Sequence, residues 1–322
     1  MNALLVLYRQ SMVSRVGFLA TATIILFVAF SDFVSSSLPI VCRFHGSWYV
    51  APNVTHPPAL DGWDCEKIAQ EPGSLQLRPM FCVDPNTENT ALALRAPFAG
   101  GGLLGSDGEG RDVLASLVQG ARSTLAFALI AGLVVVTVGT FLGAIAGYWL
   151  PAFDPVVSRV VEVIAAFPTL MIAVCMQAVA GSPSRALLLF AIGLSRWASV
   201  YQVVRADVTS HAHADFSLAA RALGASPLRV LVRHVLPHAV RVAVVALTFQ
   251  VAAVILAEAA LAFLQAERVP EASWARILGE VRDHPGAWWL LVFPTALVFA
   301  SVLALHLFGE ALRDVMDPKE IA

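Results

Sequence analysis

Of the ionisable side chains that fall in apolar sequence, two bear most on chemistry: Arg196, inside the stretch 186–204, and Glu258, near the end of 238–264. A charge held at that depth in lipid is costly, so such residues pair, face water or line a passage for polar solutes. Glu258 fits a passage-lining carboxylate or an ion pair with Arg196 or Arg268, and Arg196 reads as a structurally paired residue. Phe167-Pro168 interrupts a third apolar stretch. Proline there removes a backbone hydrogen bond and kinks the helix, which suits either a gate or ordinary packing. Other chemistries find no support. The chain has two lysines, Lys67 and Lys319, and neither closes a G-x-x-x-x-G-K phosphate loop; ATP hydrolysis by such a loop is excluded. His211-x-His213, and His234 with His238, lack acidic or cysteine partners at ligand spacing, so no metal site is expected. No Ser-His-Asp or Cys-His pattern stands out, and the chain reads as non-catalytic.

The elements that must position these residues follow from composition. Of 322 residues, 58% are apolar and 14% charged, against about 45–50% and about 25% in an average soluble domain. The excess requires lipid. The net charge of −2 gives no bulk attraction to nucleic acid. A spanning helix needs about 20 mostly apolar residues, and six segments qualify: 16–34, 125–150, 160–180, 186–204, 238–264 and 287–309. For the first, a cleaved signal peptide is the competing reading, with Arg9 and Arg15 ahead of the apolar run and Val34-Ser35-Ser36 behind it. Arg9 and Arg15, and then Arg205, Arg221, Arg229, Arg233 and Arg241, mark the amino terminus and the loop between the fourth and fifth spans as cytoplasmic. Six spans place both termini inside and leave 33–123 and 265–286 outside.

The expected division is therefore a cytoplasmic start and first span at 1–34, an extracytoplasmic insert at 35–122, a core of five helices at 123–309 containing the cytoplasmic loop 205–240, and a cytoplasmic tail at 310–322. The insert holds Cys42, Cys65 and Cys82. Three cysteines in an oxidising compartment allow one disulfide and one free thiol, with all three pairings open, or three reduced thiols. Its proline and aromatic content, as in Gly46-Ser47-Trp48-Tyr49-Val50-Ala51-Pro52, suits a small folded lobe. In the second span, Gly139-x-x-x-Gly143-x-x-x-Gly147 sets three glycines on one helix face, a seam for close helix packing.

The segment 215–237 reads as two short helices. Asp215 is the expected N-cap of the first, and Gly224 ends it in the left-handed conformation. Ser226 caps the second, Pro227 occupies its first position and Pro237 stops it. Phe216, Ala219, Ala220 and Leu223 form one apolar stripe, and Leu228, Leu231, Val232 and Val235 another; Arg221, Arg229 and Arg233 fall off them as a basic collar.

This segment resembles the cytoplasmic coupling motif of ABC-importer permeases, E-A-A-x-x-x-G followed at fixed spacing by an apolar residue, one more residue and L-P. Ala219-Ala220, Gly224 and Leu236-Pro237 match it, whereas Leu218 stands where the family has an acidic residue that helps anchor the loop to the ATPase. From about Leu103 onward, Gly105-Ser106-Asp107-Gly108-Glu109-Gly110-Arg111-Asp112-Val113, Phe167-Pro168, Glu258-Ala259-Ala260-Leu261-Ala262-Phe263-Leu264, Ser273-Trp274 and Phe308-Gly309-Glu310-Ala311-Leu312 are similar to peptide and nickel permeases, specifically the second, six-span subunit. His306 and Gln265-Ala266 depart from the usual asparagine and Gly-Leu, and the long insert resembles the oligopeptide and microcin branch. The resemblance implies an all-α polytopic protein of the type I ABC importer permease fold in the bacterial inner membrane, with a small extracytoplasmic lobe. It also implies a heterodimer with a second permease, two ATPase subunits that carry ATP and Mg while this chain binds no cofactor, and an extracytoplasmic solute-binding protein. Asp215, Leu218, Ala219, Ala220, Arg221, Gly224, Ser226, Pro227, Arg229, Arg233, Leu236 and Pro237 are then the expected ATPase-coupling residues. Glu258, Phe167, Pro168 and Arg196 are the expected residues of the translocation pathway for peptides or peptide-like solutes. The competing class is a secondary transporter or channel that needs no ATPase; such carriers usually show internal repeats, and none is visible.

Overall fold

Among the described residues, helix accounts for nearly all of the six apolar segments. The computed structural model describes residues 12–100, 102–149, 154–181, 184–265 and 272–316; Arg9, Arg268, Ala266 and the tail beyond Met316 lie outside the described residues. In chain order the helices are α1 (Met12–Ala29), α2 (Ser31–Val34), α3 (Pro52–Thr55), α4 (Cys65–Gln70), α5 (Val113–Trp149), α6 (Asp154–Ala166), α7 (Thr169–Ala180), α8 (Arg185–Ala212), α9 (Asp215–Ala222), α10 (Pro227–Val230), α11 (Leu236–Gln265), α12 (Trp274–Glu280) and α13 (Trp288–Met316). Four helical runs among the described residues are long and apolar enough to cross a membrane, namely α5, α8, the run Pro227–Leu264 and α13. A shorter apolar helix covers Ser14–Ala29.

Two expectations change. The third apolar segment is not one straight span: α6 and α7 meet at Phe167-Pro168 with a bend of 77°. Proline has no N–H for the helix ladder and its ring collides with the carbonyl four residues back, so the helix restarts after it. The second helix begins at Val113, twelve residues before the apolar stretch that predicts it, and its 37 residues reach about 55 Å at 1.5 Å per residue.

The chain packs as two compact units. The first takes the described residues of Met1–Thr21, Phe127–Leu261 and Ala300–Ala322. Its seam is the glycine row: a Cβ on Gly139 would sit 2.6 Å from Val200 Cβ, and one on Gly143 or Gly147 would lie 2.9 Å from the carbonyl oxygen of Tyr201 or Arg205. Only hydrogen leaves room for α5 to lie this close to α8. Gly17 gives α1 the same approach to Leu307 and Phe308 on α13, where Thr21 also donates to the Ala304 carbonyl at 3.1 Å.

The second unit, Ala22–Ala126 with Ala262–Phe299, contains the lobe, and the lobe is not helical throughout. It is built on an antiparallel sheet in the order β2-β1-β3, with β1 at Val41–Phe44, β2 at Ser47–Val50 and β3 at Leu75–Leu77. Cys42 and Phe44 point to one face and bury against Leu38, Leu60 and Ile68. Of the three pairings open in the sequence, the structure forms Cys65–Cys82, with 6.2 Å between Cα atoms, and leaves Cys42 a buried thiol.

Candidate functional site

The segment 215–237 lies within the first unit, joined to α8 on one side and α11 on the other. Ser217 is buried and donates to the His211 carbonyl at 2.7 Å, which fixes α9 to the last turn of α8. Asp215 is not the cap; Ala214 precedes the helix, and Asp215 sits in the first turn, where its charge favours the positive helix end. Gly224 closes α9 at φ +85°, and the Ala225 N–H donates back to the Ala220 carbonyl at 3.0 Å. That i-to-i−5 bond is the helix stop that glycine permits. Ser226 precedes α10 in an extended conformation and Pro227 opens it, though no side-chain cap bond forms.

Pro237 does not end the second helix. After α10 the chain widens into a π-helical turn at Leu231–Val235 and continues straight into α11. The wider turn accommodates the proline ring and its missing N–H without a break. Val230, Leu231 and Val235 are buried within the first unit and anchor this run there. The stripes are also only half internal. Phe216, Leu218, Leu223, Leu228 and Val232 are exposed, Leu223 at 89%, so the segment turns an apolar surface outward. Arg229 and Arg233 are exposed beside it, as is Ala219 on α9, while Leu236 is half-buried at the start of α11; Arg221 lays its guanidinium 5.3 Å over the Tyr148 ring. At the base His211 stacks on His238 at 4.3 Å, and Phe216 stacks on His238 at 5.8 Å. These histidines join α8, α9 and α11; among the described residues no group of three or more His, Cys, Asp or Glu is placed to hold a metal.

Glu258 is buried at 4% exposure, and Arg185 Nη2 donates to its Oε1 at 3.0 Å. Arg185 also covers the Phe127 ring at 5.6 Å. Arg196 bonds elsewhere: its Nε donates to Gln250 Oε1 at 2.7 Å, and Gln250 in turn donates to Ser199 at 3.2 Å; Arg268, the other partner expected for Glu258, lies outside the described residues. Arg185 stands at the first position of α8, after the capping Ser184, and that helix-start signature is the one sequence feature that could have singled it out. Phe167 and Pro168 sit at the α6–α7 bend, with Phe167 exposed.

A second polar cluster, unrecognised in the sequence, lies in the other unit. Asp107 accepts the N–H groups of Glu109 and Arg111 at 3.0 and 2.8 Å, and Arg111 pairs with Glu88 and Glu109. Buried Arg276 donates to Ser116, the Pro85 carbonyl and Asn86 at 3.0–3.3 Å. Glu280 accepts the Gly108 N–H at 2.9 Å. Burial, followed by the charge of Asp107, pushes the Glu280 carboxyl up to about 7. The indoles of Trp274 and Trp289 donate to the carbonyls of Leu117 and Ser106 at 2.9 and 3.0 Å. The signal was the concentration of charge and glycine in 105–112, two of whose partners, Glu280 and Trp289, are more than 170 residues away.

The family described as the binding-protein-dependent transport system inner membrane component matches residues 139–321. A protein of Brucella suis biovar 1 that bears the name of a peptide transport system permease is 36% identical over 242 residues, covering 73% of this chain and 80% of its own. A di/tripeptide transport system permease protein of Pseudomonas aeruginosa is 31% identical over 290 residues, covering 83% and 95%. A glutathione transport system permease protein of Pectobacterium atrosepticum is 33% identical over 218 residues, covering 67% and 72%.

Proposed function

Because this chain belongs to the binding-protein-dependent transport system inner membrane component family, as a multi-pass inner membrane permease of an ABC importer, we propose that its cargo is a peptide or peptide-like solute. In this reading it forms half of the pathway with a second permease. Two ATPase subunits, which carry ATP and Mg, grip the segment 215–237 from the cytoplasm, and a solute-binding protein delivers cargo to the opposite face. Both termini are cytoplasmic.

The observation that carries the reading is the mechanical continuity of 215–237. It hangs from α8 by Ser217 and, from Pro227 onward, runs without a break through the π-turn into α11. Motion imposed on it is transmitted as rigid tilt of two helices rather than absorbed by a loose loop, and such tilts open alternate faces of a transporter. The gripped surface is Phe216, Leu218, Leu223 and Leu228, flanked by Arg229 and Arg233. With Leu218 in place of a carboxylate, apolar contact supplies more of the grip, and Arg221, stacked on Tyr148, acts within the permease. Glu258 and Arg185 line the pathway as an ion pair whose two charges match the ends of a zwitterionic peptide, Arg196 holds α8 to α11 through Gln250, and Phe167-Pro168 provides a bend at the start of α7, where Thr169 meets Ser195 of α8.

Co-purification tests the assembly: a stable complex with a second permease and two ATP-hydrolysing subunits is expected, and transport by this chain alone would overturn it. Glu258→Gln tests the pathway; cargo affinity or uptake rate falls if the carboxylate meets cargo, and unchanged values of both refute that role.

A further inference from the structure

The lobe has two unlike faces. Register pairs Val41 with Val50 and Leu77, and Arg43 with Trp48 and Leu75. Directly opposed residues in neighbouring strands share a face, so Val50-Val41-Leu77 and Trp48-Arg43-Leu75 form two rows on the side away from Cys42 and Phe44. Trp48, Val50, Leu75 and Leu77 are 61%, 74%, 60% and 60% exposed, and Met80 just beyond β3 is exposed as well. A contiguous apolar face open to water marks a contact surface rather than a finished exterior.

Charge and attachment identify what it contacts. The segments 41–50 and 75–80 contain Arg43, Arg78 and His45 and no acidic residue, whereas Asp61, Asp64, Glu66 and Glu71 fall in and around α4, where the cation Lys67 is paired with Asp64 at 3.2 Å. Ile68 of α4 packs on the opposite side of the sheet, with Cys42 and Phe44. The lobe is thus basic and apolar on one side and acidic behind. The sheet is also tied to the end of α2, the short helix that follows the first apolar helix: the Phe81 N–H donates to the Val34 carbonyl at 2.8 Å, and the Ser36 N–H to the Phe81 carbonyl at 3.2 Å. Only three residues separate β3 from that tie. The Cys65–Cys82 bond fixes the same neighbourhood.

We propose that the face formed by Val41, Arg43, Trp48, Val50, Leu75 and Leu77 rests on the anionic phospholipid surface at the carboxy-terminal end of the first apolar helix. An exposed tryptophan is favoured at the headgroup level, aliphatic side chains enter the boundary beneath it, and arginines without neighbouring acids are attracted to anionic lipid. The acidic half faces away from the same charge. The lobe then acts as a foot that fixes the outer end of the first span, a role independent of the cargo.

The full-length chain in lipid nanodiscs provides the test, with bromine on the acyl chains near the carbonyl and discs of phosphatidylcholine alone or mixed with phosphatidylglycerol. The emission lost in Trp48→Phe isolates Trp48 from the other tryptophans. That emission is expected to be quenched by brominated lipid, more strongly in the anionic discs, and poorly by aqueous acrylamide. Arg43→Gln lowers the ratio of engaged to free lobe about fivefold, and Leu75→Gln lowers it in both lipids. Trp48 emission quenched by acrylamide and not by lipid overturns the proposal. Equal quenching in the two lipid mixtures overturns the anionic assignment, and shielding of Trp48 only after a partner permease or binding protein is added replaces lipid with a protein occupant.

Discussion

Where α5 meets α8, contact is made by leaving side chains out: Gly139, Gly143 and Gly147 bring backbone against Val200, Tyr201 and Arg205. In the other unit the turn 105–112 and the first residues of α5 meet α12 and the start of α13 through guanidinium, carboxylate and indole groups. Lipid offers apolar helices little gain on association, so close approach supplies the attraction. Residues outside it have water as the alternative partner, so a buried polar network must satisfy every group it takes in. One region is specified by shape and the other by complementary charge, and they should fail in different ways.

The largest effect is expected from Arg276→Ala, which removes the buried guanidinium that bonds Ser116, Asn86 and the Pro85 carbonyl and whose charge favours the ionised Asp107 and Glu280; about 4 kcal/mol is lost. Hydrogen exchange should quicken across 105–117 and 274–281 and stay unchanged across 139–147 and 197–208. Equal loosening of both regions breaks the distinction. Cys82→Ser removes a bond spanning 17 residues and should lower stability by about 3 kcal/mol, again confined to the lobe as read by proteolysis of 61–82. Gly143→Ala is the reverse experiment: the added carbon meets the Tyr201 carbonyl, costs about 2 kcal/mol, and should loosen only the glycine seam.

The smallest effect sharpens the contrast by pH. The Glu280 carboxyl is pushed above its ordinary value, to about 7, by burial and by Asp107. A raised acid contributes stability that is complete at pH values below its ordinary 4.5 and is lost as pH rises through about 7. The melting temperature of the wild type should therefore fall between pH 5.5 and pH 8.5, and Glu280→Gln should flatten that fall. A wild type as flat as Glu280→Gln over this range contradicts the assignment.

What was legible in the sequence was what local chemistry decides. Gly224, Ser226 and Pro227 mark the turn of the coupling segment because each specifies its own backbone geometry, and Gly139, Gly143 and Gly147 mark a seam because periodicity puts them on one face. Pro237 misled because its usual veto on helix was answered by a π-turn anchored by Val230, Leu231 and Val235, whose burial depends on distant helices. Asp215 misled because Ala214, with no side chain to cap, took the position before the helix. Glu258 was visible as an unusual charge, yet its partner Arg185 lies 73 residues away, and only helix packing chose it over Arg196. The choice of Cys65–Cys82 and the cluster around Glu280 were hidden for the same reason: charges and thiols carry no address in sequence.

The central claim is that 215–237 converts ATP hydrolysis by partner subunits into movement of α8 and α11. Gly224→Val tests it most directly, because φ at this position is +85° and an added Cβ meets nothing within 4 Å; the change strains the backbone of the turn without a packing clash. In vesicles carrying the assembled importer, uptake and ATP hydrolysis should be measured together. The account predicts that the complex still assembles while solute taken up per ATP hydrolysed falls; an unchanged ratio would contradict it.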